Sequence, residues 1–436
     1  MSKDRAHKVV IAGGGAGGLE LAAKLGRKFG PAHVYLVDKA SDHIWKPSLH
    51  EVAAGTLDIH REGLSYFMLA KDCGFTFLCG EIDGIDRLNK TISLKAMFMP
   101  QGEPVFPARH LAYDTLVLAI GSKSNFFGTP GAAEFAIALD STQQAERFRL
   151  KLLHQMAILN QQNAAGAERK LTIAIVGGGA TGVELAAELL EACRDAVFYG
   201  WEHLNVDRDV RITLLEGSDR ILSALPPRLS ASARKLLEEK GVVVNTSVRV
   251  AQVLPDALVD ADGNHYAADL CVWAAGIEAP ALLSQLELPV NRMGQLVVDA
   301  RLRAPDESIY AMGDCAQAPW NEDGRHLPAR AQVAHQQADY LLPQLAARIR
   351  QVHTHGKPFV FRDYGSLVSI GHSRGVGSLM GVLSGKSWFV EGLLARTMYM
   401  SLHLMHHWSV LGPLRTVTVA LGRLLLKRGA PRVKLH

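Results

Sequence analysis

Two short glycine clusters carry the most telling chemistry in this 436-residue chain. Gly13-Gly14-Gly15-Ala16-Gly17-Gly18 follows an apolar run from Lys8 to Ala12 and precedes a helical pattern beginning at Leu19. Strand, G-x-G-x-x-G and helix in succession form a cradle for the pyrophosphate of a dinucleotide. Gly13 permits the tight turn, Gly15 lets the phosphates reach the backbone, and Gly18 lets helix and strand pack closely. The helix start then offers unpaired N–H groups and a partial positive charge. The next apolar run, His33 to Val37, ends at Asp38, 25 residues after Gly13, where a ribose-binding carboxylate belongs.

The unit recurs. Leu171 to Val176 leads into Gly177-Gly178-Gly179-Ala180-Thr181-Gly182, then a helical stretch from Val183, then Val210 to Leu215 ending at Glu216. Glu216 lies 39 residues from Gly177, so Cys193 to Asp209 is expected to hold a longer helix and loop. A carboxylate there accepts from a ribose 2′-hydroxyl and repels a 2′-phosphate, which favours NADH over NADPH, while Arg220 nearby softens the exclusion. Glu20 and Glu184 stand two residues past each cradle, in a first helical turn where the dipole favours any acid. Two cradles in one chain point to electrons passed between two cofactors.

Composition fits a folded, multidomain protein, with 48% hydrophobic and 21% charged residues. A net charge of +4 gives no sign of a nucleic-acid partner, but it is unevenly placed. From Val390 onward seven Lys/Arg face one acid, Glu391, so the tail carries +6 and the rest −2. Leu394, Met398, Leu402, Met405 and Trp408 fall at helical spacing. After Gly412-Pro413, a second stripe runs through Val410 or Leu411, Leu414, Val417, Leu421 and Leu425, with Arg415, Arg423 and Lys427 opposite. A basic amphipathic pair of this kind lies in a membrane interface; core or dimer-interface helices are the bland alternative. The uncharged stretch Thr397 to Leu414 is 18 residues long, borderline for a span, and holds three histidines and the Gly-Pro pair. The five cysteines form no C-x-x-C pair and no zinc spacing, so no metal site is expected. The N-terminus enters a strand directly, and the expectation is no secretory leader.

Ser308 to Ala316, a strand ending in Gly313-Asp314, resembles the Gly-Asp motif of the two-dinucleotide-binding flavoprotein superfamily, as do the linking segments Tyr113 to Ser122 and Asp269 to Gly276. Two further segments, His43-Ile44-Trp45-Lys46-Pro47-Ser48-Leu49-His50-Glu51-Val52-Ala53 and Ala331-Gln332-Val333-Ala334-His335-Gln336, are similar to those of type II NADH dehydrogenases. These are single-subunit NADH–quinone oxidoreductases, and the proteobacterial membrane enzymes look most similar. The likeness runs over essentially the whole chain.

The resemblance implies FAD on the first loop, held by Gly13, Gly15, Ala16, Gly17, Gly18, Asp38, Lys46, Gly121, Asp314 and Ala331. It implies NADH on the second, held by Gly177, Gly179, Ala180, Thr181, Gly182, Glu216, Ala275 and Gly276. Hydride would pass from NADH to the flavin N5, and two electrons then to a membrane ubiquinone or menaquinone contacted by Gln332, His335 and Gln336, without proton pumping. Glu184 and Gln332 would be the catalytic side chains. Read without the resemblance, Gln332 and His335 serve equally as capping or core-polar residues, and Lys46 as a structural ion-pair residue. A homodimer on the cytoplasmic face of a bacterial inner membrane, held there peripherally, is the family expectation.

The fold class expected is α/β: two Rossmann-like domains of glutathione-reductase type, one inserted in the other, plus membrane-anchoring helices. The FAD domain would comprise 1–124 and 296–344, the NADH domain 125–295, a glycine-punctuated sheet region 345–390, and the basic tail 391–436. Two other readings fit the motifs: a soluble NADH-dependent reductase of ferredoxin or a small acceptor, and a flavoprotein redox sensor in which turnover is incidental.

Overall fold

The computed structural model describes residues 5–99, 101–320, 324–352, 356–371, 375–380, 387–391, 393–426 and 433–434. Two parallel sheets organise it, and both grow from the apolar runs before the glycine loops. Strands buried on both faces need continuous apolar sequence, and Val9–Ala12 (β1) is buried throughout. It pairs in parallel with Val34–Asp38 (β2), which pairs with Thr76–Cys79 (β3), while Thr115–Leu118 (β4) flanks its other side. The helix Ala16–Phe29 (α1) connects β1 to β2 and buries Leu19, Leu21, Ala22 and Leu25. The short helix Leu49–Ala54 (α2) follows β2.

The chain then leaves the first sheet. Lys123–Ser124 (β5) carries it outward, and Ala136–Ala138 (β6) begins the second sheet. The long helix Thr142–Ala164 (α3) is capped by Ser141, whose hydroxyl accepts from Gln144 N. Leu171–Val176 (β7), the helix Ala180–Phe198 (α4), Val210–Leu215 (β8), Val243–Asn245 (β9) and Leu270–Trp273 (β10) complete a sheet of order β6-β10-β7-β8-β9. Ile277–Glu278 (β11) pairs antiparallel with β5, so outgoing and returning chains cross side by side. Ile309–Ala311 (β12) then closes the first sheet as β12-β4-β1-β2-β3. Each sheet thus reverses strand order beside its glycine loop, which is where open parallel sheets bind ligands.

The return lies earlier than the expected Gln295. Ala279, Leu283 and Leu286 pack in the first core, and Gln295 Nε2 donates to Asp314 O at 2.8 Å. Apolar residues after β11 face the first sheet, and the switch falls between Gly276 and Pro280. Conversely Leu49, Val52, Ala53 and Ala54 of α2 pack in the second core, against α3 and α4.

The helix Ala331–Ile349 (α5) lies along α1. A Cβ at Gly17 would meet Met312 Cε at 2.3 Å and Ala334 O at 2.7 Å, so only glycine allows this approach. Gly365–Ser369 (β13), Gly375–Met380 (β14) and Ser387–Glu391 (β15) form an antiparallel sheet in the glycine-punctuated region. The tail is two helices, Leu393–Leu411 (α6) and Pro413–Leu426 (α7), broken at Gly412 with φ +80°. Val410 is fully buried in the first core and does not join the outer stripe. Leu402, Met405, Trp408, Leu414, Val417, Leu421 and Leu425 are all exposed. Arg415 pairs with Asp72, whereas the side chains of Leu394 and Arg423, and Lys427 entirely, lie outside the described residues. Among the described residues no helix is long and apolar enough to cross a membrane.

Candidate functional site

The two cradles are built alike down to single hydrogen bonds. Gly13 N donates to Val37 O and Gly177 N to Leu215 O, each at 2.8 Å. Gly14 N donates to Asp38 Oδ2 at 2.6 Å and Ala40 N to Oδ1 at 2.8 Å. In the second unit Gly178 N donates to Glu216 Oε2 at 2.5 Å and Ser218 N to Oε1 at 2.7 Å. The terminal acids therefore hold the loops, with carboxylate lone pairs left for a ribose. Burial pushes the Asp38 carboxyl up, against the backbone N–H groups of Ala40 and Gly14. Gly13 and Gly177 adopt φ +103° and +108°, and a Cβ on Gly18 or Gly182 would stand 2.0 Å from a loop carbonyl. At Gly15 and Gly179 a Cβ would meet nothing within 4 Å, so the outer side of each loop is open for phosphates. Arg220 donates to Leu225 O and Ser223 O, at 2.8 and 2.7 Å, so its guanidinium is already engaged by backbone beside the Glu216 site.

Around the first loop, Asp314 Oδ2 accepts from Ser122 Oγ at 2.9 Å, and Lys46 Nζ donates to Ser122 O at 2.8 Å. This brings Lys46, Asp314 and the turn at Gly121, with φ +67°, together. Ala331 opens α5, and Gln332 beside it has its Oε1 buried without a hydrogen-bond partner. A buried amide oxygen left unpaired is costly, and a donor brought beside it would recover that cost. His335 and Gln336 do not join it. His335 Nδ1 lies 2.5 Å from Glu20 Oε2, and Gln336 clamps Arg362 through both its backbone N–H and C=O. Each is thus held by a bond within the protein, while His335 Nε2 stands 3.8 Å from Asp339 Oδ2. On the second side Ala275 and Gly276 follow β10, and Gly276 has φ +66° with Phe127 packed where a Cβ would stand.

Glu184 is 6% exposed. Its Oε1 accepts from Ser369 N of β13 at 3.0 Å, and its Oε2 stands 3.6 Å from His50 Nδ1, which is bonded to Pro47 O at 2.8 Å. Burial pushes its carboxyl up to about 8, beyond what the Ser369 N–H offsets, with Glu51 and Glu188 adding in the same direction. At neutral pH it is a buried carboxylic acid able to give or hold a proton.

Glu20 departs from the plain helix-terminal acid its position suggests. It is 1% exposed, bonded to His335 and, through Oε1, to His406 Nδ1 at 2.8 Å. Burial raises its carboxyl, but the two histidines outweigh burial and hold it at about 2. His406, from α6, also reaches His43 Nε2 at 2.8 Å, and His43 Nδ1 reaches Gly14 O at 3.0 Å. Sequence reasoning missed His43, His50, Ser369 and His406. The signal for His406 was present, in a histidine triplet inside an apolar stretch. Residues 43–51 thus touch both units, His43 at the first loop and His50 beside Glu184. All five cysteines are buried and free, so no disulfide stands ready to relay electrons.

The pyridine nucleotide-disulphide oxidoreductase family model matches residues 7–338. The chain is 40% identical to a type II NADH:quinone oxidoreductase of Haemophilus influenzae, over 98% of this chain and 99% of that one. It is 27% identical to a type II NADH:quinone oxidoreductase of Mycobacterium tuberculosis over 92% and 83%. NDH2 of Plasmodium falciparum, solved in complex with NADH, superposes with a TM-score of 0.80 at 20% identity, covering 99% and 100%, and shares the fold. The duplicated cradle, the Gly-Asp turn and this end-to-end likeness place the chain in the pyridine nucleotide-disulphide oxidoreductase family, among the type II NADH:quinone oxidoreductases.

Proposed function

We infer that the chain is an FAD-dependent NADH:quinone oxidoreductase that uses no protein thiol and pumps no protons. The observation that carries this reading is the doubled cradle in a chain matching a type II NADH:quinone oxidoreductase from end to end. The residues present fit the cofactors: both loops are open at Gly15 and Gly179, and Gln332 keeps a buried oxygen in need of a donor. Bound FAD supplies the ability to take a hydride and return two electrons to a quinone.

The chain's own groups bind, orient and manage protons. Loop N–H groups and the α1 and α4 N-termini hold the pyrophosphates, while Asp38 and Glu216 accept ribose hydroxyls. Gln332 faces the flavin and quinone side, Asp314 and Lys46 fix the turn at Ser122, and Glu184 Oε2 carries a proton beside the nicotinamide path. Bringing the donor and acceptor rings together would be the chain's main contribution.

Membrane attachment through α6 and α7 is part of the same proposal. Seven large apolar side chains, between 42% and 81% exposed, line these helices, which favours a lipid surface over a soluble protein acceptor. The cytoplasmic face of a bacterial inner membrane and a homodimer complete the reading; light scattering of the detergent-solubilised protein checks the dimer. The deciding experiment is an anaerobic absorption spectrum of purified protein. NADH should bleach the flavin band and a short-chain quinone should restore it. A flavin that stays oxidised with NADH, or a bleached one that quinone leaves unchanged, contradicts the assignment.

A further inference from the structure

An exposed aromatic ring stands beside the second glycine loop on a strained backbone. Phe127 has φ +52°, in the left-handed region, and is 64% exposed. A bulky side chain is disfavoured there, and residues held in such conformations gather at active sites and ligand clamps. The other apolar side chains with left-handed φ among the described residues, Leu222 and Leu302, are buried, so core packing offsets their strain. Phe127 gains no such burial. Its neighbour Phe126 serves the core instead, with its ring 5.6 Å from that of Trp273.

The crossing between the units fixes where the ring lies. Asn125 Oδ1 accepts from Phe127 N at 2.7 Å, and Asn125 O accepts from Trp273 Nε1 at 2.9 Å. Phe126 O accepts from Thr129 N at 2.9 Å. Just before this turn β5 pairs with β11, and Lys123 bridges to Glu278 at 2.9 Å. The ring rests on Gly276, where a Cβ would stand 2.2 Å from Phe127 Cζ. Gly276 is therefore required twice over, by its φ of +66° and by the ring.

Strand order says which half of a ligand comes here. In the second sheet β7 runs into the glycine loop, with β8 on one side and β10 on the other. Glu216 ends β8, and Ala275 and Gly276 follow β10. A Cβ on Gly177 would stand 2.7 Å from Ala275 N, so the loop touches the segment that carries the ring. A dinucleotide with its adenosine ribose at Glu216 and its pyrophosphate on the loop has its other half over the end of β10. The chain leaving Gly276 as β11 leads toward the first unit, where that half has to deliver its hydride.

We propose that the Phe127 ring is a wall of the NADH site, contacting the nicotinamide riboside half where it crosses the end of β10. The proposal rests on NADH occupying the second loop. The ring supplies an apolar surface that excludes water from that half and leaves the adenosine half untouched. The strained φ holds it there without help from the ligand, so the wall stands before NADH arrives.

The test is calorimetric titration of holoenzyme in detergent with NAD+ and, separately, with AMP, which lacks the nicotinamide half. Phe127→Ala should weaken NAD+ about fivefold and leave AMP unchanged, as expected for the loss of one aromatic contact. KM for NADH should rise by a similar factor while KM for a short-chain quinone holds. Phe127→Tyr keeps the ring and should bind NAD+ as the wild type does. Phe127→Gly should weaken NAD+ as Phe127→Ala does and melt no lower than wild type, because glycine takes a left-handed φ without strain. It decides the matter if Phe127→Ala does not fold. Phe198→Ala, exposed at the opposite end of α4 from the loop and roughly 27 Å along that helix, should match the wild type. NAD+ binding within about twofold of wild type in the variants that lack the ring, or equal weakening of NAD+ and AMP, overturns the proposal. Wild-type protein that binds neither NAD+ nor AMP would instead sink the assignment of NADH to the second loop.

Discussion

The two nucleotide units share a backbone and differ in electrostatics. Each places a glutamate two residues past its last glycine, buried at the fifth position of a helix. In the first unit His335 and His406 surround Glu20 and keep it ionised, with its carboxyl held at about 2. In the second, Glu184 meets one backbone N–H and two further carboxylates, and burial pushes it up to about 8. The partners explain the difference, since both helices offer the same dipole. The first unit is locked by elements distant in sequence, and the second keeps a buried protonated acid.

The sharpest way to separate the units is through their closest contacts. Gly18→Ala puts a methyl 2.0 Å from Gly13 O and should abolish FAD retention. Gly182→Ala, equally close to Gly177 O, should leave the protein yellow while NADH no longer reduces it. Flavin absorbance before and after NADH reads both, and loss of flavin in both variants would show that the units are not independent. A smaller effect is expected at Glu216. Glu216→Gln removes the charge that repels a 2′-phosphate, and the NADH/NADPH ratio of kcat/KM should narrow by about tenfold. With Arg220 engaged by backbone carbonyls, an unchanged ratio would mean that the ribose sits elsewhere. The smallest belongs to Lys46, whose exposed bond to Ser122 O is worth about 1 kcal/mol; Lys46→Met should speed FAD release less than about fivefold.

Much of this was legible in the sequence. The second unit's strands fall at Leu171–Val176 and Val210–Leu215, as the apolar runs indicate, because strands buried on both faces leave little choice of residue. The loops were legible because φ near +100° and a 2.0 Å approach leave only glycine. The tail's outer stripe was legible from its helical period. What escaped was whatever depends on partners far along the chain. Glu20 reads like Glu184 until His406, 386 residues away, is beside it. His335 and Gln336 look available until Glu20 and Arg362 occupy them. Val410 counts as a stripe residue until its side of the helix is found against the first core.

Linkage gives the opposed states opposite signs. Glu20, lowered from 4.5 to about 2, contributes stability that is present above pH 4.5 and lost as pH falls toward 2, on the order of 3 kcal/mol. Glu184, raised from 4.5 to about 8, contributes stability that is present below pH 4.5 and lost as pH rises toward 8, roughly 4 kcal/mol between pH 5 and 8. The most direct measurement is the melting temperature of holoenzyme carrying Glu20→Gln or Glu184→Gln, relative to wild type, from about pH 5 to about pH 8. Glu20→Gln should melt lower throughout, by a margin that narrows as pH rises and His335 loses the proton Glu20 favours, and Glu184→Gln should gain on wild type steadily as pH rises. Parallel curves, with both variants displaced in the same direction at every pH, would contradict the claim that one repeated unit holds its two glutamates in opposite protonation states.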